Sequence, residues 1–426
     1  MEPNVEPKQK EVPFPQQFAA FAGFDWSSTH HDVVVLDAGG SILLELTFDE
    51  DAPGWAAFAQ RLAELRLDPA RLAVAVETNN GPAVERLLAL GCAVYPLNPK
   101  AAQRYRERKS NAGCKDDHLD ALSFGDALRT DGHAWRRLRP DDPLTQELRL
   151  LCRDESHLIA QRTALVNQLR AALREYYPAA LEAFEDWTSD GPWAFVQTFP
   201  TPALLVKAGR RKWEKFLHAH KLYRPETYSK RLEIFARADQ FCGPPAVTRA
   251  KSRLAAALAG QLRLLEKQLQ EYRQAIEALF ARHPDQDVFG SLPGAGPKLA
   301  PRLLAELGND PGRFETPEGL QAYGGSAPVT RQSGKQRWVG LRRACNQRLR
   351  YTLHLWADLS RPRCAWAEAY YQHKRAEGHS HAAALRCLAQ RWLKILWKMW
   401  QTHTRYDEAL HTRNQVEHGS WVVALT

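Results

Sequence analysis

The sequence of 426 residues has no Cys-x-x-Cys pair among its seven cysteines. The thiols are scattered from Cys92 to Cys387 at irregular spacing and in odd number. That pattern excludes a disulfide framework and a zinc-ribbon type of site, and it suits a reducing compartment. The chain also lacks a G-x-x-x-x-G-K-[ST] phosphate loop, which sets aside the commonest ATP- and GTP-hydrolysing class. It holds no apolar run of transmembrane length and no signal-peptide core. The expectation is a cytoplasmic protein with no membrane partner. A last absence is local. From Arg331 to Arg350 there is no acidic residue, against seven basic ones.

What is present reads as a globular chain, 44% hydrophobic and 25% charged, with a formal net charge of +9. Its length predicts two or three domains. Residues 1–16 are polar and Pro-bearing and read as a disordered arm. "FAAFAGFDW" is an apolar strand, and "HDVVVLDAGGSILLELTF" is a hairpin about Gly39-Gly40. Alternating helices and strands follow up to residue 135. Three antiparallel strands and then helix–strand–helix–strand–helix is the order of an RNase H-like α/β fold. Residues 145–282 are helical. Leucines at 151, 158, 165, 169 and 173, and again at 254, 258, 262, 265 and 269, repeat in steps of three, four and seven. Such stripes serve an intramolecular hairpin and an oligomerising coiled-coil arm equally well. A Trp- and Pro-rich helical insert is expected at 180–245. Residues 288–405 form a mostly helical C-terminal domain that opens on "SLPGAGPKLAPRLLAELG", a Gly-x-Gly turn into a helix as in helix-hairpin-helix elements. Residues 406–426 read as a polar tail.

Four acids carry the first chemical expectation. Asp25 lies in the first strand, Glu77 ends the fourth, and Asp117 and Asp120 open the last helix of the N-terminal domain. Asp117 and Asp120 are three apart and share a helix face, whereas Asp116 points about a hundred degrees away. Carboxylates gathered from separate elements hold Mg²⁺, which takes oxygen ligands and supports phosphodiester chemistry. Taken singly, each acid is an ordinary turn or capping residue; their order across this strand plan makes the metal reading.

Two basic runs suit phosphate contacts. The first, Lys100 to Lys115, includes Arg104, Arg106, Arg108, Lys109 and Lys115 and stands directly before Asp117. The second includes Arg331, Lys335, Arg337, Arg342 and Arg343 and surrounds Ser333. Trp338 and Tyr323 suit packing better than stacking on bases. A serine hydroxyl is a weak nucleophile unless its proton is taken and the developing charge is held. On chemistry alone, Ser333 is more simply a loop serine in a nucleic-acid-binding patch, with Ser326 and Thr330 as rival hydroxyls.

The motifs together resemble the insertion-sequence-110 family of bacterial transposases. "VAVETNNGPAVERLLALGCAVYPLNPKAAQRYRERKSNAGCKDDHLDA", "REYYPAALEAF", "LPGAGPKLAPRLLAELGNDPGRF", "AYGGSAPVTRQSGKQR" and "YDEALH" span nearly the whole chain. The resemblance implies a RuvC-like N-terminal domain with its DEDD acids at Asp25, Glu77, Asp117 and Asp120. It implies Ser333 as the nucleophile and Mg²⁺ as the cofactor. It further implies donor and target DNA as substrates, a structured bridge RNA as guide, and dimers that pair into tetramers, with the helical arm taking an oligomeric role. Asn79-Asn80 stands where the family commonly has Thr-Gly. The alternative kept open is a RuvC-like nuclease or junction resolvase that uses water and does not need Ser333.

Overall fold

The computed structural model describes residues 14–79, 81–109 and 117–419. Nearly all of the expected N-terminal arm, and with it Asn80, Lys115 and Asp116, lies outside the described residues. The chain divides into two compact units, Met1–Pro140 and Asp141–Thr426. Each is treated by itself.

The first unit is a mixed five-stranded sheet with helices on both faces. Its strands are β1 (Ala20–Trp26), β2 (His30–Leu36), β3 (Ile42–Asp49), β4 (Leu72–Val76) and β5 (Ala93–Pro96), in the order β3-β2-β1-β4-β5. β2 runs antiparallel to both β1 and β3, and β4 and β5 run parallel to β1 and to each other. Burial follows from position. β4, "LAVAV", is buried throughout because both of its faces are covered, while β3 at the edge keeps most of its side chains exposed. On one face of the sheet Phe24 and Phe48 pack against Trp55 and Phe58 of the Ala52–Glu64 helix. On the other Phe21 packs against Phe124 and Leu128 of the Asp117–Asp131 helix.

That second contact is unusually close. A Cβ on Gly23 of β1 would lie 1.7 Å from the Ala121 carbonyl oxygen and 2.6 Å from the Gly125 amide nitrogen. Only paired glycines let the helix lie on the strand at this spacing.

The second unit is almost wholly helical. Pro143–Tyr176 and Pro245–Ala281 are helices of 34 and 37 residues. At ~1.5 Å per residue each is about 50 Å long. They form the intramolecular hairpin, one of the two arrangements their stripes allowed. The pairs Glu175–Lys251, Arg162–Glu266 and Glu155–Arg273 fix them antiparallel. Leu169, Leu173, Leu258, Leu262, Leu265 and Leu269 are buried as their spacing predicts, but Leu254 stays 46% exposed. Five short helices between Pro178 and Ala236 cover one end of the hairpin, with Trp193, Phe195 and Trp213 in their core. At the other end, Leu148, Cys152, Ile276 and Leu279 join the C-terminal core built around Trp356, Trp392 and Trp400.

Gly294 and Gly296 have φ of 77° and 55° and lead into the Gly296–Leu307 helix. A Cβ on Gly294 would collide with the Leu359 backbone at 2.4 Å, so this glycine serves close packing at the end of the Gln347–Ser360 helix. The expected polar tail carries a helix, Glu408–Glu417. Its apolar residues do not gather on one face, which left no amphipathic signal in the sequence.

No helix among the described residues is long and apolar enough to cross a membrane. The six described cysteines are free.

Candidate active site

The acids gather at one end of the first unit's sheet. β1 and β4 pair in parallel through Phe24↔Val76, so Asp25 and Glu77 each stand one residue further along neighbouring strands. The Gly23–Gly125 contact seats the Asp117–Asp131 helix against β1 and brings its first turn beside Asp25. Carboxylate oxygens of Asp25, Asp117 and Asp120 all lie within 4.8 Å of one another, and Asp120 is buried.

Glu77 joins this group through an arginine. Arg106, on the Pro99–Lys109 helix, donates from Nη1 to Asp120 Oδ2 at 2.9 Å and from Nη2 to Glu77 Oε2 at 3.4 Å. The sequence places Arg106 in a phosphate-facing run. The structure turns it inward, because a half-buried guanidinium offsets the repulsion between two carboxylates better there than it would in water. Arg104 and Arg108 on the same helix are exposed. The side chains of Lys109 and Lys115 lie outside the described residues.

Two residues at this end carried no signal in the sequence. His30 and Asp32 bring ligand atoms within 4.8 Å of Asp117, and Asp32 is the cross-strand partner of Asp25. Only the pairing register of β1 and β2 reveals them.

Ser333 belongs to the second unit. It ends β6 (Val329–Ser333), which pairs antiparallel with β7 (Gln336–Gly340) as a separate two-stranded sheet. Gly334 opens the two-residue turn with φ of 56°, as such hairpin turns require. Ser333, Arg331 and Trp338 lie on one face of the ribbon; Gln332 and Arg337 lie on the other. Arg337 is therefore turned away from the serine, and Lys335 occupies the turn. Arg331 holds its guanidinium over the Trp338 ring at 5.7 Å. Trp338 is 55% exposed, contrary to the packing role its residue type suggested. Tyr323 does pack, against Phe314 with ring centroids 5.2 Å apart.

The root of the ribbon is fixed although the ribbon is not covered. Asn346 caps the Gln347–Ser360 helix, and its side-chain amide donates to Glu306 Oε2 at 2.8 Å and to the Tyr323 hydroxyl at 2.9 Å. Glu306 is buried and accepts two bonds from Arg153. Burial alone would raise its pKa; the Arg153 guanidinium and the Asn346 amide overturn that and hold it below the usual carboxylate range. Arg342 is drawn to the Ala327 and Pro328 carbonyls at the base of β6, so part of its donor set is spent within the protein. Arg343 is exposed.

A family model of the IS110 DEDD transposases, described as "Transposase", matches residues 22–178. A second, described as "Transposase IS116/IS110/IS902 family", matches residues 286–372. The mini-circle protein of IS117 from Streptomyces coelicolor is 36% identical over 91% of this chain and 95% of its own length. The 44.8 kDa protein of insertion element IS116 from Streptomyces clavuligerus is 29% identical over 89% of this chain and 94% of its own. The 43.6 kDa protein of insertion element IS110 from Streptomyces coelicolor is 28% identical over 93% and 97%.

The chain belongs to the IS110 family of transposases. Such enzymes cut and rejoin DNA, so DNA is its substrate. The family's DEDD designation suggests use of a divalent metal, and the residues present fit one. Asp25, Asp117 and Asp120 offer only oxygen donors at convergent spacing, the set that hard divalent cations take. The Arg106 guanidinium lies between Asp120 and Glu77, a cation where the site calls for positive charge.

Proposed function

We propose that this transposase joins donor and target DNA through a covalent serine–phosphodiester intermediate. The first unit is read as an RNase H-like, RuvC-like domain in which Asp25, Glu77, Asp117 and Asp120 hold Mg²⁺. When bound, the cation polarises the scissile phosphodiester and neutralises charge on the departing oxygen. Ser333 Oγ forms a bond to phosphorus while the bond from phosphorus to the departing nucleotide oxygen breaks. The serine proton is lost, and the departing oxygen becomes a free hydroxyl. Rejoining reverses these changes on a different strand, so the bond energy is kept and no nucleotide triphosphate is consumed. Arg331, on the serine's face of the ribbon, holds the phosphate and offsets the charge that develops on it.

The observation that carries this reading is Ser333 at the tip of an exposed β-ribbon, beside a glycine turn, in a stretch free of acids. A two-stranded ribbon with both faces open has the dimensions to enter a nucleic-acid groove. A structured bridge RNA would supply sequence choice by base pairing, leaving the protein to read backbone and shape. Assembly into dimers and tetramers would let acids and serine from different subunits complete one site.

A second reading has its own support. Three of the acids converge within the first unit without any contribution from Ser333, as in a water-using nuclease. The full chain with cognate DNA, RNA and Mg²⁺, run on a denaturing gel, separates the two. A protein–DNA adduct that vanishes in Ser333→Ala together with cleavage supports the recombinase. Continued cleavage by Ser333→Ala with no adduct in either protein selects the nuclease.

A further inference from the structure

A cleft of about 590 Å³ opens between the His381–Thr402 and Glu408–Glu417 helices. This falls within the ~300–1,000 Å³ of pockets that enclose small organic ligands. It lies away from the Ser333 ribbon in sequence, and the chemistry proposed above makes no use of it.

Its rim is basic. Arg391, Lys394 and Lys398 stand at steps of three and four along one helix face, and Arg405 comes from the following turn. All four are exposed, and none forms an ion pair with a described carboxylate. This sets them apart from Arg149, Arg153, Arg273, Arg302 and Arg313 of the same unit, all of which pair with buried acids. The lining contains one acid, Asp407, whose carboxylate caps the next helix by accepting from the Leu410 N–H at 3.0 Å.

The floor is aromatic and apolar: Trp366, Tyr370, Met399, Tyr406 and His411. The polar ends of two of these rings satisfy each other, the Trp366 indole N–H donating to the Tyr406 hydroxyl at 2.9 Å, which leaves apolar ring surface toward the cleft. Burial holds the His411 imidazole below its usual pKa, so it adds a neutral ring at neutral pH. Gln415 supplies a second, independent observation. Its amide nitrogen lies 3.2 Å from His411 Nε2, while its carbonyl oxygen is buried with no hydrogen-bond partner. An unmatched buried acceptor is costly, and a donor on a bound ligand relieves that cost. No residue of the Glu408–Glu417 helix that forms this wall is fully buried, His411 and Gln415 being half-buried, so little packing opposes a small adjustment.

Recognition of anions at the rim, flat apolar surface on the floor and an unmatched acceptor at the wall match the three parts of a nucleotide. Resting on the reading of this protein as a nucleic-acid recombinase, we propose that the cleft holds an unpaired nucleotide of a single-stranded segment. Its backbone phosphates meet Lys394, Lys398 and Arg405, its base lies against the aromatic floor, and a base N–H reaches Gln415. A duplex cannot place a stacked base there, so the site distinguishes single strands from double ones.

The test uses the full chain and fluorescein-labelled 12-mers of one sequence, as single-stranded RNA, single-stranded DNA and DNA duplex, with anisotropy read over a KCl series. In Lys394→Ala/Lys398→Ala, single-strand affinity falls about 10-fold and the log–log salt slope flattens by roughly 1.4. Duplex affinity changes less than about two-fold. Wild-type affinity and slope for both single strands overturn the proposal, as does an equal loss for single strand and duplex. Photocrosslinking of 4-thiouridine in the RNA and 5-iododeoxyuridine in the DNA supplies the second readout. Adducts on peptides carrying Trp366, Tyr406 or His411 are expected, and the label that reacts tells RNA from DNA. Adducts confined to other peptides overturn the site. Both assays read binding and crosslinking in the absence of cleavage, so a failure of the serine chemistry and a failure of the cleft are read separately.

Discussion

Replacing Gly23 with Ala tests whether the close seating of the Asp117–Asp131 helix on β1 assembles the acid cluster. The added Cβ would lie 1.7 Å from the Ala121 carbonyl oxygen and 2.7 Å from its carbonyl carbon. Ordinary C···O contacts begin at about 3.3 Å, so strand and helix have to part by roughly 1.6 Å. Both neighbours are backbone, and neither can rotate away. The packing penalty should fall at the top of the ~1–3 kcal/mol range for overfilled cores, or above it. The displacement also falls on the site. Asp117 and Asp120 move with the helix and Asp25 stays with the strand, while Mg²⁺–oxygen bonds of about 2.0–2.1 Å tolerate little change. The expected result is a lowered unfolding midpoint, weakened Mn²⁺ binding by calorimetry, and DNA cleavage reduced about 100-fold or more. Gly91→Ala is the control. Gly91 has a positive φ, of 92°, and faces open space, so its substitution should cost stability through the backbone alone and keep metal affinity. A Gly23→Ala protein with wild-type Mn²⁺ affinity would refute the argument that this contact sets the spacing of the acids.

Other perturbations probe other parts of the molecule. Arg106→Gln removes the guanidinium bonded to Glu77 and Asp120, and Mn²⁺ affinity without DNA should rise about 10-fold, worth ~1.4 kcal/mol; equal or weaker binding by calorimetry would show that arginine and ion do not compete. Glu306→Ala leaves the Arg153 charge uncompensated in a buried place and should cost about 3–5 kcal/mol in urea unfolding, whereas a loss under ~1 kcal/mol would contradict a buried pair. Because the folded pKa of Glu306 is lowered, its contribution is complete above the unfolded value near ~4.3 and is lost as pH falls from there toward the folded value, so Glu306→Gln should flatten that acid limb of the stability curve. Trp338→Ala should shift stability by less than ~0.5 kcal/mol yet weaken DNA binding measured by anisotropy, because more than half of the ring is already in water; a large stability loss would place the ring in a packed environment instead.

The N-terminal sheet was legible because buried strands leave continuous apolar runs and Gly39-Gly40 punctuates the hairpin. The long helices were legible because their leucines keep helical spacing over many turns. Whether those helices fold on each other was not legible, since the same stripe satisfies a partner in its own chain or in another. Three acids could be located because strand ends and an i, i+3 pair fix direction. Arg106 could not be assigned its partners: the face a basic helix turns inward depends on how it rests on the sheet, and "RYRERK" offers charge on nearly every side. His30 and Asp32 enter only through cross-strand register. "VTRQSGKQRWVG" gives no apolar alternation because neither face of its ribbon is buried. For the same reason, residue type suggested a packed Trp338 that the structure leaves exposed.

A ribbon of two five-residue strands, tied down at Asn346 but wet on both sides, has almost no burial of its own to keep its tip rigid. Its shape must be completed by whatever it grips. On the proposed chemistry, a hydroxyl carried there would stay quiet on the free enzyme and become aligned only once a strand is seated against it. A mobile element that carries its own cutter would thereby spare its host random breaks.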